Sequence, residues 1–248
     1  MKKEYGQHFL ADRNILDVIG RLAELGPADV VLEIGPGQGV LTRYLAERVG
    51  RVHAIEIDQA LEPALSDLPG NVDLVFGDAL RVELPQDATK LVANLPYNVA
   101  TPLIVESLDG LPQIGLWCVM VQREVADRLF AEPGTKAYGA VSVLVQLAAE
   151  RTGFHPVSRT VFRPPPNVDS ALVAFRRKQL PPDFWRVKEV VTAAFAHRRK
   201  TLPNSLALAG LAPREQAAAA LAAMGRPSET RAEALAPQEL VALTEALA

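Results

Sequence analysis

The feature that most constrains the fold of this chain is an ordered series of polar or glycine-rich positions, each directly after a predicted hydrophobic strand. Residues 29–34 predict such a strand, and the glycine-rich run 35–39 separates it from a predicted helix. Glu56 closes the second predicted strand, Asp78 the third, and Asn94 the fourth. Strands that alternate with helices predict a mostly parallel sheet covered on both faces, with these residues together at its carboxyl edge.

Hydrophobic periodicity predicts two domains of different character. In the first, strands are also expected near residues 51–57, 72–76, 90–94, 115–121, 151–157 and 170–176, and helices near 13–25, 39–49, 59–67, 100–108, 122–131 and 139–149. A short proline-rich link joins the last two strands, which favours an antiparallel pair. After a linker, the amphipathic segments are all helical, near 184–197, 200–209, 214–224 and 237–247. We therefore expect an α/β fold, with a Rossmann-like sheet in residues 1–178 and a small all-helical domain in residues 179–248.

The spacing of Gly35, Gly37 and Gly39 indicates which kind of ligand the first turn binds. Glycine tolerates positive φ and lets the backbone approach a ligand closely. In the dinucleotide fingerprint the third glycine comes three residues after the second, whereas here it comes two residues after it. This difference counts against a pyrophosphate and favours S-adenosyl-L-methionine as the cofactor.

The acidic strand ends extend this prediction to the rest of the cofactor. The Glu56 carboxylate can accept hydrogen bonds from both ribose hydroxyls. Asp78, followed by Ala79, can accept one from the adenine amine, and a helix cap is its alternative role. The three sites in this order predict a class I methyltransferase sheet that binds S-adenosyl-L-methionine.

Asn94-Leu95-Pro96-Tyr97 follows the fourth strand, where sheets of this type place reactive groups. An adenine amine is a poor nucleophile because its lone pair is delocalised, so acceptors for its N–H protons help more than a strong base. Asn94 can supply a side-chain carbonyl and Leu95 a backbone carbonyl, while Pro96 biases Leu95 away from helix. The Tyr97 ring can stack on a target base. The pattern predicts methyl transfer to a nucleobase amine, with an ordinary turn as the alternative.

A proline-rich loop between the last two strands contains a second aromatic candidate. Phe162 is predicted to contact the other face of the extruded base, and a core aromatic beneath the loop is the alternative. Arg163, the next residue, is expected to contact RNA.

Positive charge is concentrated in one stretch, although the whole chain carries a net charge of −3. Residues 151–200 contain 11 basic and 3 acidic side chains, whereas residues 1–150 contain 12 and 21. Such clustering is typical of a surface that binds a polyanion, although a solvated charged face gives the same pattern. Arg198, Arg199 and Lys200, placed at the start of a predicted helix, are expected to hold RNA phosphates without reading bases.

Composition limits the remaining possibilities. No run of 18 apolar residues occurs, so no membrane-spanning helix is expected, and the first five residues lack the apolar stretch of a signal peptide. The single Cys118 lies in an apolar run and fits a reducing compartment, so we expect a cytoplasmic protein. No metal is expected, because the histidines show no metal-ligand spacing: His8, His53, His155 and His197.

The chain resembles the KsgA-type small-subunit ribosomal RNA adenine dimethyltransferases nearly from end to end. The motifs that carry the resemblance are Gly6-Gln7-His8-Phe9-Leu10, Glu33-Ile34-Gly35-Pro36-Gly37, Gly77-Asp78-Ala79, Asn94-Leu95-Pro96-Tyr97-Asn98, Gln122-Arg123-Glu124-Val125, Phe162-Arg163-Pro164-Pro165-Pro166 and Arg198-Arg199-Lys200-Thr201-Leu202. Several are shared across the rRNA adenine methylase superfamily. The last, with Asn204-Ser205-Leu206 behind it, is more particular to the KsgA type.

The resemblance implies an activity and a set of contacts. The family transfers four methyl groups to two adjacent adenosines in a 3′-terminal hairpin of small-subunit rRNA, giving N6,N6-dimethyladenosine late in subunit assembly. The expected partner is thus rRNA within a small-subunit assembly intermediate, and the protein is expected to be a monomer. Matching positions assign cofactor contacts to His8, Leu10, Gly35, Glu56, Asp78 and Asn94, and catalysis to Asn94, Leu95 and Tyr97. His8 departs from the asparagine of many bacterial members.

Three other functions share parts of this pattern. A large-subunit rRNA adenine methylase has the same catalytic corner, but the Arg-Arg-Lys-Thr-Leu segment and the helices after it argue against it. A DNA adenine methylase usually carries two prolines where this chain has Leu95-Pro96. A non-catalytic ribosome-assembly or transcription factor on the same fold is disfavoured by the intact Gly35, Glu56, Asp78 and Asn94, which leave a second, binding role open. Fold alone does not assign function.

Overall fold

The computed structural model describes residues 8–10 and 12–247, which form two compact units. The first unit contains the chain up to Ala126 together with Glu150–Arg177, and the second contains Asp127–Ala149 with the chain from Lys178 onward. Gly6 and Gln7, which begin the first motif of the sequence, lie outside the described residues.

A seven-stranded sheet forms the centre of the first unit within the residues that the structure describes. The strands in chain order are β1 (Phe9–Leu10), β2 (Val30–Ile34), β3 (Arg51–Glu56), β4 (Val72–Phe76), β5 (Lys90–Asn94), β6 (Leu116–Gln122), β7 (Ala149–Val157), β8 (Phe162–Arg163) and β9 (Ser170–Arg177). The order across the large sheet is β4-β3-β2-β5-β6-β9-β7. The predicted α/β fold is therefore confirmed, and the predicted strands differ from the observed ones by only one or two residues at their ends.

Parallel pairing brings the polar strand ends to one edge. Strands β4, β3, β2, β5 and β6 are parallel to their neighbours, and β9 runs antiparallel to β6. The central strands are apolar on both faces because helices cover both sides, as expected for parallel sheets. In register, Glu56 pairs with Phe76 and Asn94 with Met120, so the carboxyl ends of these strands lie level with one another.

A second, two-stranded sheet was not predicted from the sequence. In it, β1 and β8 pair antiparallel, with Phe9 opposite Arg163 and Leu10 opposite Phe162. The strands are only two residues long and lie far apart in the chain, so neither has enough alternation to be recognised as a strand. The pairing attaches the N-terminal segment to the proline-rich loop.

The helices of the first unit cover the sheet. They are α1 (Arg13–Leu22), α2 (Val40–Ala46), α3 (Glu62–Leu65), α4 (Ala100–Gly110) and α5 (Arg123–Leu129), the last of which runs into the second unit. The helix predicted at 59–67 is instead a 3-10 turn at Gln59–Leu61 followed by the short α3, because Pro63 fits only the first turn of a helix. No helix within the described residues is long and apolar enough to cross a membrane.

The second unit is helical in the part of it that the structure describes. Its helices are α6 (Ala140–Ala148), α7 (Phe184–Phe195), α8 (Leu202–Leu208), α9 (Arg214–Ala223) and α10 (Pro237–Ala246). The segment Asp127–Ala149 groups with these helices, whereas the boundary drawn from the sequence at 178/179 assigned it to the first domain. A physical reason is visible at Tyr138, whose buried hydroxyl donates to the Leu235 carbonyl at 2.9 Å.

Arg177 closes the end of α4 within the first unit. Its guanidinium donates to the carbonyls of Leu108 and Leu111 at 2.6 and 2.8 Å, and also to the Ile114 carbonyl. The same group lies 4.8 Å from the centre of the Trp117 ring. Burial lowers the pKa of Arg177, and these carbonyls compensate for the lost hydration of the charge. Arg177 thus satisfies backbone acceptors that the helix end leaves without partners.

We expect Arg177→Ala to lower the free energy of unfolding by about 3 kcal/mol, because the Leu108 and Ile114 carbonyls lose their donor and the Leu111 carbonyl keeps only the bond from the Ile114 N–H. Arg176→Ala is the matched control, since the neighbouring Arg176 is half exposed and pairs only with Glu24 at the surface. An exposed ion pair contributes roughly 0–1 kcal/mol. Urea unfolding of the two variants measures the difference, and equal losses would contradict the assigned role.

Candidate active site

A pocket lies at the carboxyl edge of the sheet in the first unit. Its walls include every residue predicted from the sequence for the cofactor and the catalytic corner except Phe162: His8, Leu10, Gly35, Gly37, Glu56, Asp78, Ala79, Asn94, Leu95, Pro96 and Tyr97. Parallel register explains the convergence of the residues that follow β2, β3, β4 and β5, whereas His8 and Leu10 come from the segment that pairs with β8. The roles predicted for the individual residues are not tested by their position alone.

The glycine turn allows two other segments to approach the backbone closely. Gly35 and Gly37 have φ of 76° and 60°, which side chains rarely adopt. A Cβ added at Gly37 would lie 2.9 Å from the ring of Phe9, and one at Gly35 would lie 3.3 Å from Pro96. The turn therefore has no room for side chains between the N-terminal segment and the catalytic corner.

Glu56 organises the turn through both of its carboxylate oxygens. Oε2 accepts from the Gly37 N–H at 3.0 Å, and Oε1 accepts from the Asp58 N–H at 2.9 Å. The side chain is buried and lines the pocket. Each carboxylate oxygen can accept more than one hydrogen bond, so the ribose contact predicted for Glu56 is compatible with these bonds.

Asp78 and a set of apolar side chains form the outer part of the pocket. The Asp78 Oδ1 caps the following turn by accepting from the Leu80 N–H at 3.0 Å, which is the alternative role considered from the sequence. Three large apolar side chains around it are more than a third exposed, namely Val40, Ile57 and Leu80. Exposed apolar groups around an acceptor suit a flat ring that carries an amine. Sequence reasoning gave Ile57 and Leu80 no role at the site, although Ile57 directly follows Glu56 and Leu80 lies two residues after Asp78.

Asn94 is oriented by the N-terminal segment. Its Nδ2 donates to the His8 carbonyl at 3.1 Å, which fixes the amide plane. Since the nitrogen faces His8, the amide oxygen Oδ1 is the group that Asn94 can offer to a ligand. Leu95 is buried, and its N–H donates to the Met120 carbonyl at 3.0 Å. These two bonds hold the corner without any contribution from a substrate.

Tyr97 is held at both of its ends. Its hydroxyl is 2.6 Å from the Oγ of buried Ser170, and its ring centre is 5.7 Å from that of His8. Burial raises the pKa of Tyr97, so its hydroxyl stays protonated in the physiological range. His8 in turn places Nδ1 2.9 Å from the Pro164 carbonyl. The Tyr97 ring is therefore a fixed surface at the mouth of the pocket.

Phe162 does not line the pocket in this structure. Its side chain has no exposed surface and belongs to the apolar core, together with Leu10 and Leu172. The predicted contact between Phe162 and an extruded base is therefore not available in this conformation. The alternative considered from the sequence, a core aromatic beneath the proline-rich loop, is what the structure contains.

Glu33 is a buried carboxyl that sequence reasoning included in a motif but gave no role. It is 1% exposed and lines the pocket. Burial raises its pKa to about 8; the nearby Thr42 hydroxyl offsets part of this rise, and the charge of Glu56 adds to it. Neither Glu33 Oε2 nor Thr42 Oγ1 has a hydrogen-bond partner within the described residues. An oxygen without a partner beside a ligand pocket is a site for a donor that the ligand brings.

The basic residues predicted to bind RNA have different surroundings. In the second unit, the Arg198 guanidinium donates to the carbonyls of Lys136 and Tyr138 at 3.0 and 3.2 Å and lies 3.7 Å from Glu233. Arg199 and Lys200 are exposed in the turn between α7 and α8, before the helix that the sequence placed from residue 200. In the first unit, Arg163 is exposed and bonds only to the carbonyls of Thr160 and Phe162 among the described residues.

Comparison with known proteins gives one consistent family. The family model described as "Ribosomal RNA adenine dimethylase" matches residues 1–247. The chain is 48% identical to the "Ribosomal RNA small subunit methyltransferase A" of Rubrobacter xylanophilus, a match that covers 98% of this chain and 93% of that protein.

Two solved structures resemble the chain over nearly its whole length. A dimethyladenosine transferase from Plasmodium falciparum has a TM-score of 0.77 and 26% identity, over 95% of this chain and 96% of that one. The 23S rRNA methyltransferase ErmE has a TM-score of 0.66 and 31% identity, over 96% and 99% of the two chains.

We expect the stability of the protein to fall between about pH 5 and pH 8 because of Glu33. Its pKa of about 8 in the folded state lies above the value of 4.5 expected when unfolded, so in this range only the folded state holds the proton. The free energy of unfolding then decreases by on the order of 1 kcal/mol per pH unit. Glu33→Gln, which cannot ionise, should remove this slope.

Chemical unfolding at pH 5, 6.5 and 8 measures the effect. Glu47→Gln is the control, because Glu47 is largely exposed and should leave the slope unchanged. If the free energy of unfolding varied with pH in the same way in the wild type and in Glu33→Gln, the raised pKa of Glu33 would be contradicted.

Proposed function

Because the chain belongs to the ribosomal RNA adenine dimethylase family, we propose that it dimethylates the N6 amines of two adjacent adenosines in the 3′-terminal hairpin of small-subunit rRNA. The protein is an rRNA adenine dimethyltransferase, and S-adenosyl-L-methionine is the proposed methyl donor. The observation that carries the proposal is one pocket in which the glycine turn, two acidic strand ends and Asn94-Leu95-Pro96-Tyr97 meet.

Small-subunit rRNA is preferred to large-subunit rRNA as the substrate. Identity to the small-subunit enzyme of Rubrobacter xylanophilus is 48%, against 31% to ErmE, at similar coverage of this chain. The Arg198-Arg199-Lys200-Thr201-Leu202 segment agrees with this preference.

The residues of the pocket fit S-adenosyl-L-methionine. Glu56 offers acceptors for the ribose hydroxyls, and the apolar side chains of Ile57 and Leu80 beside Asp78 suit the adenine ring. The unpartnered Oε2 of Glu33 suits the ammonium of the methionine moiety, since a cation brings both a donor and a compensating charge. When bound, the cofactor supplies an electrophilic methyl group.

The catalytic corner then acts by accepting hydrogen bonds from the target amine and by positioning the base. The Asn94 Oδ1, directed by the bond from Nδ2 to His8, accepts a hydrogen bond from the target amine, and the Leu95 carbonyl accepts a second. These bonds localise the nitrogen lone pair as the amine becomes tetrahedral. The Tyr97 ring, fixed through Ser170, holds the extruded base against the pocket. Burial of Leu95 leaves its backbone, not its side chain, to contact the base.

RNA binding is assigned to exposed basic residues of each unit. Arg163 lies in the proline-rich loop of the first unit, and Arg199 and Lys200 lie in the α7–α8 turn of the second. We assign Arg198 a supporting role, because its guanidinium is already held by carbonyls of its own unit. The proposed division of labour is catalysis by the first domain and RNA recognition by the helical one.

The proposed setting is the late assembly of the small ribosomal subunit. The protein acts there as a monomer, in the cytoplasm, on rRNA within an assembly intermediate. Incubation with labelled S-adenosyl-L-methionine and unmethylated small subunits, followed by mass spectrometry of the nucleosides, tests substrate and product together. Formation of N6,N6-dimethyladenosine near the 3′ end supports the proposal. Label found only in large subunits or DNA would overturn it.

We expect Asn94→Ala to reduce the methylation rate by about 10²–10³-fold, because one acceptor for the amine protons is lost. Binding of the RNA should change little, since the phosphate contacts lie elsewhere. Asn14→Ala is the control, because Asn14 is exposed at the start of α1 and its side chain has no hydrogen bond to the residues that the structure describes. Full activity of Asn94→Ala in the small-subunit assay would refute the proposed corner.

The double variant Arg199→Ala/Lys200→Ala should weaken rRNA binding and lower the slope of log affinity against log salt by about one per lost phosphate contact. Its melting temperature should stay near that of the wild type, because both side chains are exposed. Arg198→Ala should instead clearly lower the melting temperature, because the bonds from its guanidinium to the Lys136 and Tyr138 carbonyls are lost. An unchanged salt slope in the double variant would move the RNA surface to another place.

A further inference from the structure

A second cleft opens at the carboxyl edge of the sheet in the first unit. It has a volume of about 500 Å³ and is lined by polar side chains and one apolar one: Gln122, Arg123, Arg159, Asn167, Val168 and Asp169. This volume lies within the range that small ligands occupy in proteins. The proposed reaction uses none of these residues.

The cleft is connected to the catalytic corner by a single residue. Ser170, whose Oγ is 2.6 Å from the Tyr97 hydroxyl, directly follows Asp169 in the chain. In the sheet, Ser170 pairs with Gln122, the last residue of β6. One side of Ser170 therefore faces the ring proposed to hold the target base, and its neighbours on both strands form the wall of the cleft.

Asp169 keeps the cleft in one shape. Its backbone carbonyl accepts from the Arg123 N–H at 3.0 Å, and its Oδ1 accepts from the Arg159 N–H at 3.0 Å. The Arg159 side chain also reaches the Asn167 carbonyl at 3.5 Å. The first two bonds use the backbone N–H groups of Arg123 and Arg159, so the backbone of both arginines is fixed at the cleft.

The chemistry of the lining suits a nucleotide. The Arg159 guanidinium can bind a phosphate or stack on a base, and the amides of Gln122 and Asn167 can bond to a base edge. Val168, which is 47% exposed, adds an apolar surface for a ring. The carboxylates of Glu124 and Asp169 also line the cleft, and they balance the arginines and can accept from an exocyclic amine.

We propose that this cleft binds the nucleotide that directly flanks the target adenosine in the same RNA strand. The inference rests on the proposed function and adds to it a positioning site for the substrate. A single strand that enters the catalytic corner must continue past it, and the cleft is the neighbouring concave polar surface one residue away along β9. Holding the flanking nucleotide fixes the target base on Tyr97 through the shared Ser170.

The experiment compares two single variants of the cleft, Arg159→Ala and Asn167→Ala. Both side chains are exposed, and the Arg159 backbone N–H keeps its bond to Asp169, so the variants should fold. Arg51→Ala is the control, because Arg51 is an exposed arginine with one carboxylate partner at the amino end of β3. The substrates are unmethylated small subunits with normal rRNA, or with the nucleotide immediately 5′ or 3′ of the adenosine pair replaced, so that both target adenosines are kept.

We expect each cleft variant to lower kcat/KM for normal small subunits by about tenfold, with the affinity for S-adenosyl-L-methionine unchanged in calorimetry. In the wild type, replacement of one flanking nucleotide should cause a similar loss, and in the cleft variants the same replacement should cause little further loss. If the variants acted only by disturbing the structure, the loss in kcat/KM from the variant and the loss from the nucleotide replacement would be independent and would multiply.

Two results would overturn the inference. One is a kcat/KM of the cleft variants equal to that of Arg51→Ala, and the other is multiplication of the variant and nucleotide effects. In both cases the wild type would still form N6,N6-dimethyladenosine, so the proposed function would stand. If the wild type itself does not methylate small subunits, the proposed function fails first.

Discussion

The site depends on one constraint, the parallel register of the strands β4, β3, β2, β5 and β6. A parallel ladder aligns the carboxyl ends of its strands, so residues far apart in the chain come together without any long loop. Glu56 then uses this position to bond to two backbone N–H groups, and the glycine turn closes over it. A strand shifted by one residue would exchange its two faces and remove its polar end from the pocket.

The proposed catalytic corner, Asn94 to Tyr97, is held in place by contacts within the protein itself. Asn94 and Tyr97 are each fixed by a partner from a different part of the chain, His8 for the amide and Ser170 for the hydroxyl. Such fixed acceptors and surfaces need no reorganisation during a reaction, which is the main physical advantage of an enzyme site over water. Glu33 is the contrasting case, because its buried oxygen has no partner within the described part of the chain.

The sequence was a good guide to the sheet and to the pocket, since both follow from hydrophobic runs and from the residues that end them. It could not indicate contacts between residues that are distant in the chain. Phe162 is covered by the core, Arg198 is held by carbonyls of the 136–138 segment, and Asp127–Ala149 groups with the later helices. No local pattern records these contacts. For the same reason, the short β1–β8 pairing could not be found from alternation.

The long sequence separation of the contacts around Tyr97 and His8 affects how the protein folds while it is being synthesised. His8 meets Pro164 across 156 positions, and Tyr97 meets Ser170 across 73. Synthesis proceeds from the N-terminus, so the strands β2 to β6 are complete long before these partners exist. The nascent chain therefore carries an unfinished pocket until β9, which ends at Arg177, has emerged from the ribosome.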